Sequence, residues 1–453
     1  MARGSAEAVS SFANRRCESF AMDSATQYGF DVVVVGGGPA GLAAAATAAQ
    51  CGRRVALIDD NPRLGGQIWR SAAGKSDSRE ANYWLELLAK SSVQVIGGAR
   101  VFGVEKPALQ AETDQGPLHI EFEKLVLATG ARELYLPFPG WTLPNVMGAG
   151  GLQALVKSGL PVSGKRVVLA GTGPLLLAVA AYLSDQGARV LCICEQASWS
   201  RLAALGLKLL PSPPKAMQGL ALRYKSRTAR YLTRSWIVAA AGQNRLEAVS
   251  ISAGNRLREI ECDYLGCGYH LVPHTELAQM LGCRLRGSFV ETNEFQETSQ
   301  PDVYCAGEPT GIGGMELSVI EGRIAGHATA GSQEAAKVLF ASRSHYRKLA
   351  EAMNEAFRLR PELAKLAKPD TLLCRCEDVP FERVQQYDSW KAAKLHSRCG
   401  MGPCQGRVCG AAAKFLFGWH VDWNRPPVFP VHCSSLAAMG GRERNAGMNG
   451  EKQ

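Results

Sequence analysis

The sequence is poor in the side chains on which hydrolytic and metal-dependent active sites rely. It has eight histidines in 453 residues, and they are scattered without the spacing of a metal site. His270 and His274 are four residues apart, but Pro273 between them argues against a shared helical face. No arrangement of serine, histidine and aspartate can be read from the chain. Chemistry carried by bound cofactors is therefore favoured.

The sequence also lacks an export signal and a membrane-spanning segment. Its first residues contain no apolar block, so a secretory pattern is missing and a cytoplasmic location is expected. The stretches 32–52 and 167–184 contain no charged side chain. Each holds a glycine cluster after β-branched residues, which favours a buried strand, a tight turn and a helix over a membrane span. Peripheral membrane contact is compatible with this pattern, and Met22 is a candidate start.

Acidic residues are missing from one long stretch. Residues 201–246 contain nine Lys and Arg but no Asp or Glu, and residues 336–453 contain nineteen against eleven. Such a stretch is either a solvated face or a surface that docks an acidic partner protein. Nucleic acid is disfavoured as a partner, because the regular aromatic interleaving of a strand-binding groove is missing.

What the chain has in abundance is glycine, and the first glycine cluster carries a nucleotide-binding pattern. Asp31–Val35 is a β-branched run, Gly36-Gly-Gly-Pro-Ala-Gly41 follows at once, and residues 42–50 have the composition of a helix. A second strand, 54–59, ends in Asp59, twenty-three residues after the first glycine. There a carboxylate can accept the ribose hydroxyls of an adenosine.

Each glycine of this turn has a physical role. Gly36 permits the tight turn, Gly38 lets the backbone approach a pyrophosphate, and Gly41 lets the helix pack close to the strand. The helix N-terminus points free N–H groups at the phosphates. With a strand before it and a helix after it, the pattern predicts a dinucleotide site.

Three later motifs favour FAD as the ligand: Gly65-Gly-Gln67, Leu127–Ala131 and Asp302–Glu308. They resemble recurring elements of two-dinucleotide-domain flavoprotein reductases, in which a late Gly-Asp step contacts the ribityl chain of FAD. In this chain Glu308 replaces that Asp. The resemblance implies that these residues contact FAD: Gly36, Gly38, Pro39, Ala40, Gly41, Asp59, Gly66, Gln67, Thr129, Gly130, Gly307 and Glu308.

A second strand, turn and helix signal begins about 135 residues later, at Arg166–Ala170 and Gly171–Leu176. Leu176 occupies the third glycine position and is expected to hold the helix further from the strand. Glu195 arrives one residue later than Asp59 does in the first unit, so its carboxylate is expected on the opposite face. We therefore expect weak NAD(P)H binding, with either a retained fold or a different adenine nucleotide at this second site.

Five of the fourteen cysteines lie within residues 374–409, which predicts one metal site in a protein of a reducing compartment. Thiolates bind zinc or iron–sulfur clusters. Cys374-Arg-Cys376 argues against ordinary zinc knuckles, whose spacing is Cys-x-x-Cys. A [2Fe-2S] cluster is favoured, and structural zinc or redox-sensing thiols remain alternatives.

The second cysteine loop, Cys399-Gly-Met-Gly-Pro-Cys404-Gln-Gly-Arg-Val-Cys409, resembles the variant loop of domains related to bacterioferritin-associated ferredoxin. That resemblance implies a small α-helical [2Fe-2S] domain with Cys374, Cys376, Cys404 and Cys409 as ligands. Cys399 then stands outside the ligand set. Its spacing to Cys404 equals that of Cys404 to Cys409, so an exchange of ligands remains an alternative.

The whole order of motifs resembles one family over about residues 30–440. These are the FAD-containing α subunits of multi-subunit dye-linked amine dehydrogenases, such as the A chain type of opine oxidase, the proline and hydroxyproline dehydrogenase α subunits and the HcnB type of hydrogen cyanide synthase. The resemblance implies an α/β, pyridine nucleotide-disulfide reductase-like fold. The expected domains are a flexible extension (1–29), an FAD domain (30–145 and 290–333), an inserted dinucleotide-type domain (146–289), a helical linker (334–369), and the [2Fe-2S] domain with its tail (370–453).

The family resemblance also implies a division of labour. A separate amine-oxidising flavoprotein β subunit oxidises the C–N bond, and a small ferredoxin-like protein is a further candidate partner. The present chain would relay the electrons through FAD and the cluster to a quinone or a dye, and no catalytic side chain is expected. The alternatives are a self-sufficient NAD(P)H-dependent reductase and a non-enzymatic scaffold.

Overall fold

The computed structural model describes residues 27–69, 78–210, 212–254, 256–421 and 425–438. Most of the predicted N-terminal extension, and the candidate start at Met22, lie outside these residues. The chain divides into two compact units. The first unit comprises residues 1–131, 273–347 and 422–453, and the second comprises 132–272 and 348–421.

The strands of the described chain are short and lie mostly in residues 27–305. They are β1 Gln27–Val35, β2 Val55–Asp59, β3 Gln94–Gly97, β4 Arg100–Glu105, β5 Ala108–Thr113, β6 Gly116–Leu127, β7 Ala131–Glu133, β8 Val146–Gly148, β9 Arg166–Gly171, β10 Arg189–Glu195, β11 Arg230–Thr233, β12 Ser235–Ala241, β13 Ala248–Ala253, β14 Arg256–Glu261, β15 Tyr264–Gly268, β16 Leu271–Pro273, β17 Leu285–Arg286, β18 Phe289–Val290, β19 Val303–Cys305, β20 Leu372–Cys374 and β21 Val379–Pro380.

The helices follow the two glycine turns and dominate the chain after residue 315. They are α1 Pro39–Gln50, α2 Gly66–Trp69, α3 Arg79–Ala89, α4 Ala149–Lys157, α5 Pro174–Asp185, α6 Trp199–Lys208, α7 Pro213–Lys225, α8 Glu276–Met280, α9 Met315–Thr329, α10 Gln333–Lys337, α11 Phe340–Ala356, α12 Phe381–Gln385, α13 Trp390–Ser397 and α14 Cys409–Phe417, with a 3₁₀ helix at Pro361–Lys365. None of these described helices is long and apolar enough to cross a bilayer.

The first unit is built on a seven-stranded sheet in the order β3-β2-β1-β6-β5-β4, with β19 also pairing with β6. β3, β2, β1, β6 and β19 are parallel neighbours, whereas β4, β5 and β6 form an antiparallel meander. Val32, Val33 and Val34 of β1 are completely buried, as a central parallel strand requires. The tail joins this unit through Val428, whose N–H donates to the Phe102 carbonyl at 2.9 Å.

Small residues let two helices of the first unit approach closely. α1 is largely alanine, and its residues 40–48 are buried. A Cβ added at Gly322 of α9 would lie 2.1 Å from the Ala40 carbonyl oxygen, and one at Gly326 would lie 2.6 Å from that of Ala44. The N-terminal end of α1, which faces the glycine turn, is thereby fixed against α9.

The second unit repeats the design with a five-stranded parallel sheet in the order β11-β10-β9-β15-β8. A three-stranded antiparallel sheet, β12-β13-β14, follows it. The cysteine-rich segment of this unit has the β20–β21 hairpin and helices α12, α13 and α14 around its own core, in which Trp390 and Val384 are buried. The predicted α/β class with two dinucleotide-type units is confirmed.

Candidate functional site

The first glycine turn has the tight geometry that its sequence predicts. Gly36 has a φ of 111°, and a Cβ there would lie 2.2 Å from the Ala128 carbonyl oxygen. A Cβ at Gly41 would lie 1.7 Å from the carbonyl oxygen of Gly36. Both positions therefore require glycine. α1 begins at Pro39, with no side chain capping its N-terminus, so its first N–H groups are available to an anion.

Asp59 lies at the end of β2, directly beside this turn. Its Oδ2 accepts the Gly37 N–H, and its Oδ1 accepts the Asn61 N–H at 2.7 Å. The side chain is 8% exposed. The carboxylate is thus held in place by the turn itself, with lone pairs left for a ribose.

The other predicted FAD contacts converge on the same turn. Gly66 packs against Gly38, since a Cβ there would lie 2.9 Å from the Gly38 Cα. Thr129 follows Ala128 next to Gly36, and its hydroxyl donates to the His274 carbonyl at 2.6 Å. Gly130 has a φ of 71°, and Gln67 is exposed on α2. The structure therefore brings motifs that are distant in sequence to one edge of the sheet.

Gly307 and Glu308 close the other side of this site. A Cβ at Gly307 would lie 2.9 Å from the Cβ of Ala40. Glu308 Oε1 accepts the Gly314 N–H at 3.1 Å, just before α9. Its Oε2 is buried without a hydrogen-bond partner among the described residues, and burial raises the pKa of Glu308 to about 7. A ligand with hydroxyl groups would satisfy that oxygen.

Glu321 of α9 was missed by the sequence reasoning. Its side chain is 2% exposed, and its Oε2 accepts the Gly307 N–H at 3.1 Å and the Thr310 hydroxyl at 2.8 Å. Arg347 Nη2 donates to Oε1 at 2.8 Å. This network fixes the turn that carries Glu308. The available signal was one acid inside the otherwise apolar stretch 317–326.

The second glycine turn keeps the backbone of the first but not its helix contact. Gly171 has a φ of 146°, and a Cβ there would lie 2.1 Å from the Gly268 carbonyl oxygen. Leu176 replaces the third glycine and is completely buried. It fits because Gly268 of β15 has no side chain, and a Cβ there would lie 3.2 Å from the Leu176 Cδ2.

The expectation that Glu195 points to the opposite face is wrong. The pairing of β9 with β10 shifts register between Val190 and Cys192, and this bulge absorbs the extra residue, so that Glu195 pairs with Gly171. Its carboxylate accepts the Gly173 N–H at 2.8 Å and the Thr172 hydroxyl at 2.7 Å. Asp59 and Glu195 therefore hold their turns in the same way.

The chain itself covers the second turn. The segment after α11, residues 357–360, passes over it: the Phe357 carbonyl accepts the Gln196 side-chain N–H at 3.2 Å, and the Gln196 Oε1 accepts the Arg360 N–H at 3.1 Å. A Cβ at Gly173 would lie 3.9 Å from the Phe357 ring. A pyrophosphate approaching Gly173 would have to displace this segment.

A cavity of about 690 Å³ lies beside the covered turn. It is lined by Ser198, Ser200, Arg201, Arg234, Arg360, Pro361, Glu362 and Lys365. Four of these side chains are cationic and one is acidic, so the cavity suits an anion. It lies near the C-terminal end of β10, where α/β sheets commonly bind ligands.

The cysteines of the C-terminal segment are brought together. The Sγ atoms of Cys374, Cys399 and Cys409 lie within 4.8 Å of one another, and all three residues are buried. Cys404 hydrogen-bonds through its side chain to Cys409 and to the exposed Cys376. All four predicted ligands therefore belong to one group of contacts. Cys399, which was expected outside it, is a fifth member.

Glycines bring the two cysteine loops into contact. A Cβ at Gly402 would lie 2.3 Å from the Cβ of Cys376. Gly400 has a φ of 83° and donates its N–H to Cys374 Sγ at 3.4 Å. Hydrogen bonds from neighbouring thiols hold the pKa of Cys374 far below its usual value and lower the pKa of Cys404 to about 5. Thiolates of this kind are ligands for iron or zinc.

Comparison with known proteins agrees with this architecture. The model of the pyridine nucleotide-disulphide oxidoreductases matches residues 30–335. The HcnB subunit of hydrogen cyanide synthase from Pseudomonas aeruginosa is 34% identical over 460 residues, which cover 90% of this chain and 98% of HcnB. The first subunit of opine oxidase (OoxA type) from Agrobacterium tumefaciens is 32% identical over 427 residues, with 84% of each chain covered.

Solved structures share the fold. L-proline dehydrogenase from P. horikoshii has a TM-score of 0.63 at 20% identity, covering 92% of this chain and 81% of its own. Thioredoxin reductase from T. acidophilum has a TM-score of 0.52 at 21% identity, covering 68% and 99%. On these matches and the geometry of its first glycine turn, the chain belongs to the pyridine nucleotide-disulphide oxidoreductase family, as a flavin-dependent oxidoreductase related to HcnB and to the first subunit of opine oxidase.

Proposed function

We propose that this chain is the electron-relay subunit of a multi-subunit amine dehydrogenase. A partner flavoprotein would oxidise an amino acid, imino acid or opine, and this chain would pass the electrons to a quinone or a dye. The observation that carries the proposal is the covering of the second glycine turn by residues 357–360. A hydride donor needs that turn, so electrons have to enter by another route.

The relatives support a role as one of several subunits. The matched chains of opine oxidase, hydrogen cyanide synthase and sarcosine oxidase are all named as subunits of larger enzymes. In the proposed assembly the substrate pocket would belong to the partner flavoprotein. This division is consistent with the prediction that the present chain contributes no catalytic side chain.

The first unit suits FAD. Its glycine turn requires Gly36 and Gly41, Asp59 is positioned for a ribose, and the unsatisfied Glu308 Oε2 suits the hydroxyls of a ribityl chain. Bound FAD would supply a centre that takes up two electrons and releases them singly. The residues of the chain contribute by binding and orienting it.

The cysteine group suits a [2Fe-2S] cluster held by Cys374, Cys376, Cys404 and Cys409. Anaerobically purified protein is expected to contain about two irons and two acid-labile sulfides per chain. Cys404→Ser should lose the iron, because a hydroxyl is a poor substitute for a thiolate. The matched variant Cys399→Ser should keep it. One zinc per chain without iron would refute the cluster, and iron loss confined to Cys399→Ser would refute the ligand set.

A second ligand is supported by the cationic cavity of the second unit. Arg201, Arg234, Arg360 and Lys365 suit the phosphates of an adenine nucleotide, which would be held by these cations instead of the covered turn. Calorimetric titration of the protein with ATP, ADP and AMP tests this ligand. Arg234→Gln should weaken binding at least about tenfold, in keeping with the loss of a charge-assisted contact. Equal affinity of the variant would refute the site.

The relay itself is tested by reconstitution. The isolated chain should not oxidise free amino acids, opines or proline derivatives, and dye reduction by such an amine should begin only after an amine-oxidising flavoprotein partner is added. Iron content and bound FAD measured on the same preparation ensure that inactivity does not reflect lost cofactors. Amine oxidation by the fully loaded chain alone would contradict the proposal.

A further inference from the structure

Two consecutive helices of the second unit expose large apolar side chains on regular stripes. In and just after α6 these are Trp199, Leu207 and Leu210, and in α7 they are Met217, Leu220 and Tyr224. Each of the six is between 67% and 70% exposed. They make up six of the fourteen large exposed apolar side chains of the described chain, although they fall within residues 199–224. We call residues 199–225 the α6–α7 hairpin.

The stripes follow the helical period. At 100° per residue, the three side chains of α6 and those of α7 each fall within an arc of about 80°. Leu205, in the middle of α6, is buried instead, so the inward face of that helix is already used. The stripes therefore point away from the core of the second unit. Exposed apolar patches of this kind mark interaction surfaces.

The charge of the hairpin is of one sign. Residues 201–246 contain nine Lys and Arg and no Asp or Glu. Arg201, Lys208 and Lys225 are exposed on the two helices that carry the apolar stripes. A surface that complements the hairpin must therefore be apolar in its interior and negatively charged at its boundary.

We propose that the α6–α7 hairpin lies in the interface of an anionic lipid bilayer. Apolar stripes flanked by cations are the pattern of interfacial amphipathic helices. Trp199 and Tyr224, near opposite ends of the hairpin, suit the headgroup level, and the Lys and Arg stems can extend alongside the apolar side chains. Attachment would be peripheral, since none of the described helices can span a bilayer.

Membrane attachment would place the protein where a lipid-soluble acceptor such as a quinone is found. The inference does not depend on the flavin or on the cluster, because lipid binding is measurable without electron transfer. Its failure and a failure of the relay are therefore distinguishable.

The test is co-sedimentation of the full-length protein with vesicles of phosphatidylcholine alone or mixed with phosphatidylglycerol. Binding is expected to the mixed vesicles, with release as the salt concentration rises. Leu207→Ser/Leu220→Ser should reduce partitioning by about tenfold or more. The matched control Leu257→Ser/Leu395→Ser, which changes two leucines exposed elsewhere in the same unit, should bind like the wild type.

A second arm tests charge. Lys208→Glu/Lys225→Glu should abolish binding to the mixed vesicles while circular dichroism and flavin content stay unchanged. Equal binding to neutral and anionic vesicles, or no binding to either, would overturn the inference. It would also be overturned if the leucine variants bound vesicles normally but failed to bind a partner flavoprotein, because the hairpin would then be a protein–protein interface.

Discussion

The two glycine turns of this chain have the same backbone and opposite accessibility. In the first unit, Gly41 lets α1 pack on the turn, and Asp59 holds the Gly37 N–H beside an open helix N-terminus. In the second unit, Leu176 fills the corresponding gap, and residues 357–360 lie across the turn. The comparison teaches that strand pairing and a buried carboxylate preserve the turn after access to a dinucleotide is lost.

The largest effect is expected at Gly41. Gly41→Val would place a Cβ 1.7 Å from the Gly36 carbonyl oxygen, so the backbone of the turn must shift. We expect FAD content to fall to the detection limit, as measured by fluorescence after denaturation. Gly29→Ala is the control, because no atom lies within 4 Å of a Cβ at that position. Normal FAD content in Gly41→Val would break the comparison.

The corresponding change in the second unit should affect stability and not flavin content. Leu176→Ala removes part of a completely buried side chain, which commonly costs about 2–5 kcal/mol in the free energy of unfolding. Denaturant titration measures this loss, and Leu207→Ala, at an exposed position, is the control. A loss of FAD comparable to that of Gly41→Val would show that the two turns are not independent.

Glu308 should give the first unit a pH dependence that the second lacks. Burial raises its pKa to about 7 from 4.5, so the stabilisation is complete below pH 4.5 and is lost as the pH rises through 7. In protein without FAD, Glu308→Gln should remove a decline of about 3 kcal/mol between about pH 4 and 8. Denaturant titrations across this range measure it. Parallel pH profiles of variant and wild type would contradict the pKa.

The smallest effect is expected at Gln196, which ties residues 357–360 to the second turn. Gln196→Ala should cost about 1–2 kcal/mol through lost hydrogen bonds and should increase hydrogen exchange at residues 357–360. Gln218→Ala, on the exposed side of α7, is the control. Unchanged exchange in the first variant would mean that the segment is held by other contacts.

The sequence predicted the parts of these sites that depend on local patterns. β-branched runs followed by glycines identified both turns, because a buried parallel strand and a close helix leave few other residue types. Asp59 was found by its distance from Gly36, and the predicted cysteines were found by their clustering. Each of these signals lies within about thirty residues of the chain.

What the sequence did not predict depends on contacts between distant residues or on irregular backbone. The bulge between Val190 and Cys192 reverses the facing of Glu195, and no residue type marks it. Gln196 and Arg360 are 164 residues apart, so the covering of the second turn has no local signal. Cys399 joins the other thiols because Gly400 adopts a positive φ and turns the loop toward Cys374.

The central claim is that electrons do not enter this chain from a nicotinamide nucleotide. Stopped-flow mixing of the isolated, FAD-loaded chain with NADPH or NADH tests it most directly. The account predicts slow bleaching of the flavin absorbance that is far from saturation at micromolar nucleotide, because residues 357–360 and Leu176 obstruct the second turn. Rapid, saturable bleaching at micromolar NADPH would contradict it and would identify the chain as a self-sufficient reductase.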